Sequence, residues 1–299
     1  MDEKGVRRFG RFLRETRNFF DSRGFTEVMT PNLVSAGAFE ATLDCLRVSH
    51  EQGQGELHTS PELAMKCLLA EAPIPIYQIC KSYRDDPPSP IHFLEFVMLE
   101  FYQPQADYRE VLATTRSYFE CVAGGPLDWV SLTVREAWLR HTGLDLDDLV
   151  ERDGLAEAVG KRGLATVREG DSWEDLFFKV MIAHVEPNLP EELPVIITDY
   201  PGRLCTLLKK RGGIVERFEI YWRGMEICNG GTELGDSEAL KVRYAAESNV
   251  RKVRGKEPHP FPKAFAEAIE KLPPLAGVAI GMERLGMCID VAMGGRTRS

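Results

Sequence analysis

The chain has 299 residues, 43% hydrophobic and 28% charged, with a formal net charge of -9 and a pI of about 5.3. That composition suits one large or two small water-soluble domains, and the acidity argues against a large nucleic-acid footprint while leaving room for a local one. The seven cysteines are odd in number and contain no C-x-x-C pair, which points to free thiols in a reducing cytoplasm and away from a disulfide framework or a zinc site.

The opening MDEKGVRRFGRF lacks the apolar stretch of a secretory leader, and no apolar run is long enough for a bilayer. Phe9, Phe12, Leu13, Phe19 and Phe20 recur at helical spacing over residues 4–22, with Gly24 as the stop. Phe25 to Met29 reads as a short strand ended by Pro31, and Ser60-Pro61-Glu62 as a helix start. Residues 76–83 and 92–102 form two strands of a hairpin around a proline-rich loop, and 107–122 a helix. Residues 124–172 are acidic and polar, an inserted helical segment, and 173–186 an amphipathic helix. PVIITDY reads as a strand, and RFEIYWRGMEICNG as a hairpin turning at Arg223-Gly224. Asp236-Ser237 caps a long helix that ends near Gly255, and GVAIGMERLGMCI is a parallel-looking late strand running into an apolar helix. Together these define an α+β fold with a mostly antiparallel sheet, organised as a single domain with an insertion at about 124–172. There is no G-x-G-x-x-G and no P-loop motif. Lys209, Lys210 and Arg211 read as solvated surface charge; Arg251, Lys252, Arg254 and Lys256 form a second basic cluster.

Three features carry chemistry. Arg84 closes a strand; taken alone, it reads as a surface ion pair with Asp85 or Asp86, worth about 0–1 kcal/mol. Across the hairpin, the odd spacing of Glu95 and Glu100 sends them to opposite faces, one of them toward a cleft. Arg284 sits in an apolar strand-to-helix turn, where its planar fork suits a phosphate or carboxylate, a salt bridge to Glu283 or Asp290 being the alternative. Glu226 and Glu233 flank Cys228-Asn229-Gly230-Gly231 and are either a Mg²⁺ pair or two unrelated surface glutamates; spacing does not decide.

In order, TSPELAMK, YQICKSYRDD, EFVMLEFYQP, GMEICNGGTEL and GVAIGMERL resemble the core motifs of class II lysyl-tRNA synthetases, and RGFTEVMTPNL resembles their motif 1, with Pro31 as its proline. The resemblance spans roughly residues 8–290 without an N-terminal anticodon-binding domain, and in this it is similar to the elongation factor P lysine ligase family, with Ser60 and Ala279 in agreement. It implies the class II catalytic fold, a homodimer through motif 1, ATP and Mg²⁺ as cofactors, and activation of lysine or (R)-β-lysine as the adenylate. The implied acceptor is a lysine side chain of elongation factor P, with no role for tRNA or membrane.

By that resemblance Arg84 clamps the α-phosphate and the amino-acid carboxylate, and Arg284 contacts the γ-phosphate. Asp86, His92 and Phe96 join them around ATP. Glu226 and Glu233 hold Mg²⁺. Ser60, Glu62, Glu100, Tyr102, Asn229, Glu233 and Ala279 surround the amino acid. The chain departs from the family where RDDPPSPIHFLEF puts Asp86 for a glutamate, Pro90 for an arginine and Phe93-Leu94 for Asn-Pro, and where Gly231 replaces a phenylalanine. These departures keep two other readings open: a ligase of the same fold for another amino acid or carrier, and a non-catalytic paralogue.

Overall fold

The computed structural model describes residues 2–51, 53–87, 93–205 and 207–290. Helix α1 (Glu3–Asp21) is capped by the Asp2 carboxylate on the Gly5 N–H and buries Phe12, Phe19 and Phe20 on one face; the chain then reverses through Gly24 in the left-handed region. Short strands β1 (Thr26–Glu27), β2 (Leu33–Val34), β3 (Arg47–His50) and β4 (Gly53–Leu57) follow. Helix α2 (Glu62–Glu71) leads to the hairpin of β5 (Ile76–Tyr83) and β6 (Glu95–Pro104), then to α3 (Tyr108–Ala123), opened by a capping box of Asp107 and Glu110. Next come β7 (Val130–Thr133), α4 (Val134–Thr142), α5 (Arg152–Lys161) and α6 (Trp173–Val180), the last loosening into a π turn over Met181–Val185. Strands β8 (Val195–Pro201), β9 (Lys210–Arg211), β10 (Ile214–Trp222) and β11 (Met225–Thr232) precede α7 (Ser237–Val253), α8 (Lys263–Ala268), β12 (Leu275–Gly281) and α9 (Met282–Cys288). Arg223 and Gly224, both at positive φ, make the tight turn expected between β10 and β11.

The chain divides into two compact units: Met1–Pro126, Thr206–Lys209 and Gly230–Ser299 form one, and Leu127–Cys205 with Lys210–Asn229 the other. The segment expected as a helical insertion, 124–172, falls from Leu127 onward in the second unit, and it contributes a strand, β7, as well as helices.

In the first unit the strand order is β1-β5-β6-β12. The β5–β6 hairpin pairs Ile76 with Tyr102 and Tyr83 with Glu95. Strand β12 is antiparallel to β6, with Ala279 opposite Glu100 and Gly277 opposite Tyr102; the expectation of a late parallel strand is corrected here. The parallel partner of β5 is β1 instead. A second sheet runs β2-β4-β3. Phe20 anchors α1, its ring 4.9 Å from those of both Tyr77 and Phe101, and Thr16 hydrogen-bonds the Tyr118 hydroxyl of α3 at 2.9 Å. A further core joins Phe39, Leu207, Leu234, Leu240, Phe265 and Ile269.

In the second unit β8 pairs with β7 in parallel and with β10 antiparallel. Phe177 stacks between Trp138 at 5.2 Å and Trp173 at 5.4 Å, so α4 and α6 share an aromatic core. Each unit combines mostly antiparallel strands with helices, the α+β architecture expected.

Candidate active site

Strand alternation explains the first part of the site. Glu100 and Tyr102 lie two residues apart on β6 and share a face; Glu95, an odd step away, meets Lys81 at 2.9 Å and is exposed. The buried Glu100 carboxylate accepts hydrogen bonds from the Ser60 hydroxyl at 2.9 Å and the Tyr102 hydroxyl at 2.5 Å. Ser60 in turn accepts the Glu62 N–H at 3.0 Å, so one hydroxyl both starts α2 and orients Glu100. Small residues face this pair from β12: a Cβ at Gly277 would stand 2.3 Å from the Tyr102 ring, which is why that strand carries glycine there.

The centre of the site is a lysine that the sequence did not single out. Lys66 lies one turn after Glu62 on α2 and is wholly buried, its ammonium 2.5 Å from Glu62 Oε1 and 2.5 Å from Glu233 Oε2. A Glu–Lys pair at i, i+4 normally reads as a solvated helix face, and fully buried lysines are rare unless paired. The signal was present in TSPELAMK, but its meaning depends on Glu233, 167 residues away.

Burial pushes the Glu100 carboxyl up to about 8, with repulsion from Glu62 adding to it and the Tyr102 and Ser60 hydrogen bonds and Lys66 opposing it. Burial also raises Glu233, and the Lys66 ammonium pulls it back. Desolvation works against the Lys66 charge, but Glu233 and Glu62 outweigh it and keep the ammonium protonated. Ser60, Glu62, Glu100, Tyr102, Glu233 and, by strand register, Ala279 thus lie together. The arrangement is a carboxylate-rich, largely buried receptor suited to ammonium groups.

Arg84 is half-buried; its guanidinium carbon lies 5.2 Å from the centroid of the Phe96 ring. Its Nε is buried and, among the described residues, has no hydrogen-bond partner. No ion pair to Asp85 or Asp86 forms among the described residues, so the surface-pair reading of Arg84 is not what the structure adopts. Arg84 also acts on Glu40, whose carboxyl is pushed up to about 7 by burial and then by Glu62, with Arg84 pulling it down. Arg284 lies half-buried on α9. Its neighbour Glu283 spends both oxygens on the Val97 N–H, at 2.8 and 2.9 Å, tying α9 to β6. Asp86 is half-buried beyond β5; His92 and Pro90 lie outside the described residues.

Glu226 and Asn229 belong to the second unit, where both are half-buried on β11. Glu226 acts electrostatically on Tyr200, Arg217 and Tyr221, the residues that enclose Glu219. Glu219 accepts from the Tyr200 hydroxyl at 2.5 Å, from the Tyr221 hydroxyl at 2.6 Å and from Arg217. The two glutamates that the resemblance pairs as Mg²⁺ ligands therefore have different surroundings. An ammonium already 2.5 Å from Glu233 supplies the positive charge that a metal would, so Glu233 does not fit as a resident metal ligand and is kept as a pocket residue. Glu226 likewise lies in the field of a cation, Arg217; its oxygens are the type of ligand a hard cation takes.

The second basic cluster is not solvated throughout. Arg251 is 5% exposed and donates to the carbonyls of Ala41, Leu43 and Glu257 and to Asp44. Beside it, ligand atoms of Cys45, Glu56 and His259 lie within 4.8 Å of one another. A zinc site was not expected, and the chemistry there disfavours one. The Arg251 cation stands next to the group, His259 Nε2 is bonded to the Leu43 carbonyl at 2.9 Å, and burial pushes the Cys45 thiol up to about 12. All seven cysteines are free, and among the described residues no helix is long and apolar enough to cross a membrane.

A mostly antiparallel sheet flanked by helices agrees with the fold class that the resemblance implies. A family profile for tRNA synthetases class II (D, K and N) matches residues 4–292, and the chain belongs to that family. Within the wider group, it is 33% identical over 278 residues to the elongation factor P--(R)-beta-lysine ligase homolog of Aquifex aeolicus (strain VF5), covering 92% of this chain and 91% of that protein. It is also 33% identical over 292 residues to the elongation factor P--(R)-beta-lysine ligase of Edwardsiella ictaluri (strain 93-146), covering 92% of this chain and 87% of that one.

Proposed function

We propose that the chain is an ATP-dependent ligase that activates lysine or (R)-β-lysine as the adenylate and transfers it to a lysine side chain of elongation factor P. The observation that carries this reading is the buried constellation of Glu62, Glu100 and Glu233 around Ser60, Tyr102 and Lys66. Its carboxylates suit an amino acid with two ammonium groups, and the near full-length likeness to relatives named for that reaction supports it.

In this reading the substrate's own carboxylate attacks the α-phosphorus as the bond to pyrophosphate breaks. Arg84, beside Phe96 and with an unused buried Nε, stabilises charge on the α-phosphate. Arg284 takes the γ-phosphate, and Asp86, His92 and Phe96 border the nucleotide. Mg²⁺, where bound, would supply phosphate charge neutralisation; the resemblance assigns Glu226 to it and Asn229 to the amino acid. Two chains associate through motif 1, where Met29 leaves 94% of its surface exposed two residues before Pro31. The protein works in the cytoplasm and does not act on tRNA.

ATP–pyrophosphate exchange tests this directly, with L-lysine, (R)-β-lysine and the other standard amino acids, followed by mass spectrometry of elongation factor P. Exchange with a lysine isomer and a matching mass gain on the factor support the reading. Exchange driven only by a different amino acid, or none in a folded protein, refutes it. Arg284→Ala abolishes exchange while leaving the fold intact, and unchanged exchange removes Arg284 from the site.

A further inference from the structure

Glu62 and Glu233 arrive from distant parts of the chain, and their common partner is Lys66, which takes one oxygen of each at 2.5 Å. Around its ammonium stand Glu62 on the same helix, Glu233 just after β11, the Glu100 carboxylate whose ionisation it favours, and the rings of Tyr102 and Phe265 with centroids at 5.7 Å. Lys66 has no exposed surface, so it cannot itself meet a substrate. Its geometry is that of a clamp: one cation fixes two carboxylates and leaves Glu62 Oε2 and Glu233 Oε1 for other donors.

We propose that Lys66 is a positioning residue that sets the pocket's preference for an amino acid with two ammonium groups, by holding Glu62 and Glu233 so that their second oxygens, together with Glu100, receive those groups. This rests on the function proposed above. Without Lys66 the carboxylates repel one another, separate or take up protons, and a second ammonium loses its fixed acceptors. A substrate with a single ammonium group, and ATP, lose far less.

The test is calorimetric titration of the full chain with L-lysine, (R)-β-lysine, L-norleucine and ATP, for wild type and Lys66→Met. The dissociation constant for the lysine isomer that wild type binds rises about tenfold or more in Lys66→Met, while those for norleucine and ATP change less than about threefold. Equal weakening for lysine and norleucine, or lysine binding unchanged, overturns the proposal. If Lys66→Met is too unstable to titrate, the double variant Lys66→Met, Glu233→Gln removes one charge of each sign and is compared with Glu233→Gln alone. Lysine then binds about threefold or more weakly in the double variant, because Glu62 has lost its tether, with ATP affinity equal; equal lysine affinities overturn the proposal. Wild type that binds neither lysine isomer refutes the function and this inference together, whereas wild-type binding with an unaffected Lys66→Met refutes this inference alone.

Discussion

Replacing Gly277 with alanine adds one methyl group to the tightest point of the pocket. The new Cβ would lie 2.3 Å from Tyr102 Cδ1 and Cε1 and 3.2 Å from Glu233 Oε1, against a carbon–carbon optimum of about 3.5–4 Å. Either β12 or the Tyr102 ring has to move by more than an ångström. The ring is 2% exposed and packed against Met65, Leu69, Ile76 and Leu275, so it has little room. Overpacking of this kind costs about 1–3 kcal/mol. If the ring shifts, its 2.5 Å bond to Glu100 breaks and a buried acceptor loses a donor, a further cost of about 1–3 kcal/mol. The expected total is about 2–6 kcal/mol, seen as a lower midpoint in urea with an unchanged slope. The same movement raises KM for the amino acid in ATP–pyrophosphate exchange while KM for ATP stays within about twofold, since Arg84 and Arg284, proposed above for the phosphates, are not among the nearest neighbours of the new methyl. A Gly277→Ala protein with wild-type urea midpoint and wild-type amino-acid KM refutes the packing argument.

Because burial raises Glu100 to about 8, its carboxyl holds a proton in the folded protein between its ordinary value of 4.5 and that point. The folded state then binds more protons than the unfolded one, so this group's contribution makes stability fall as pH rises through that window; Glu100→Gln flattens the slope, and an unchanged slope in urea titrations refutes the assignment. For the same reason lysine binding at pH 7 releases protons, which calorimetry in buffers of different ionisation enthalpy detects; a buffer-independent heat counts against it. Arg251→Met strips a buried cation from three carbonyls and Asp44 and costs about 3–5 kcal/mol, visible as a clear drop in Tm; a shift within a degree places Arg251 among ordinary surface charges. Gly154→Ala, in the first turn of α5 with no atom within 4 Å of its new methyl, stabilises by about 0.4–1 kcal/mol, and a loss of stability contradicts the open geometry.

Local structure was legible wherever the signal is local. Asp236 before α7 and Arg223-Gly224 between two strands act on backbone groups a few residues away, and the chain places such groups together whatever the rest of the molecule does. The alternation that separated Glu95 from Glu100 is likewise a property of one strand. The order of motifs along the chain was legible too, and with it the class of protein.

What the chain by itself determined is therefore the family and most of the long elements, while the short strands β2 to β4 and strand β7 within 124–172 were not read from it. Partnership was left to the tertiary structure: that β12 runs antiparallel to β6, that Arg251 is buried among carbonyls, and that Glu233 answers to Lys66 across 167 residues. The physical reason is the same in each case. A charged side chain reads as solvated until its desolvation is known, and desolvation belongs to the packed fold. Only where burial raises the cost of an unpaired charge does a particular partner become necessary, and at Lys66 that necessity joins one helix to a distant segment.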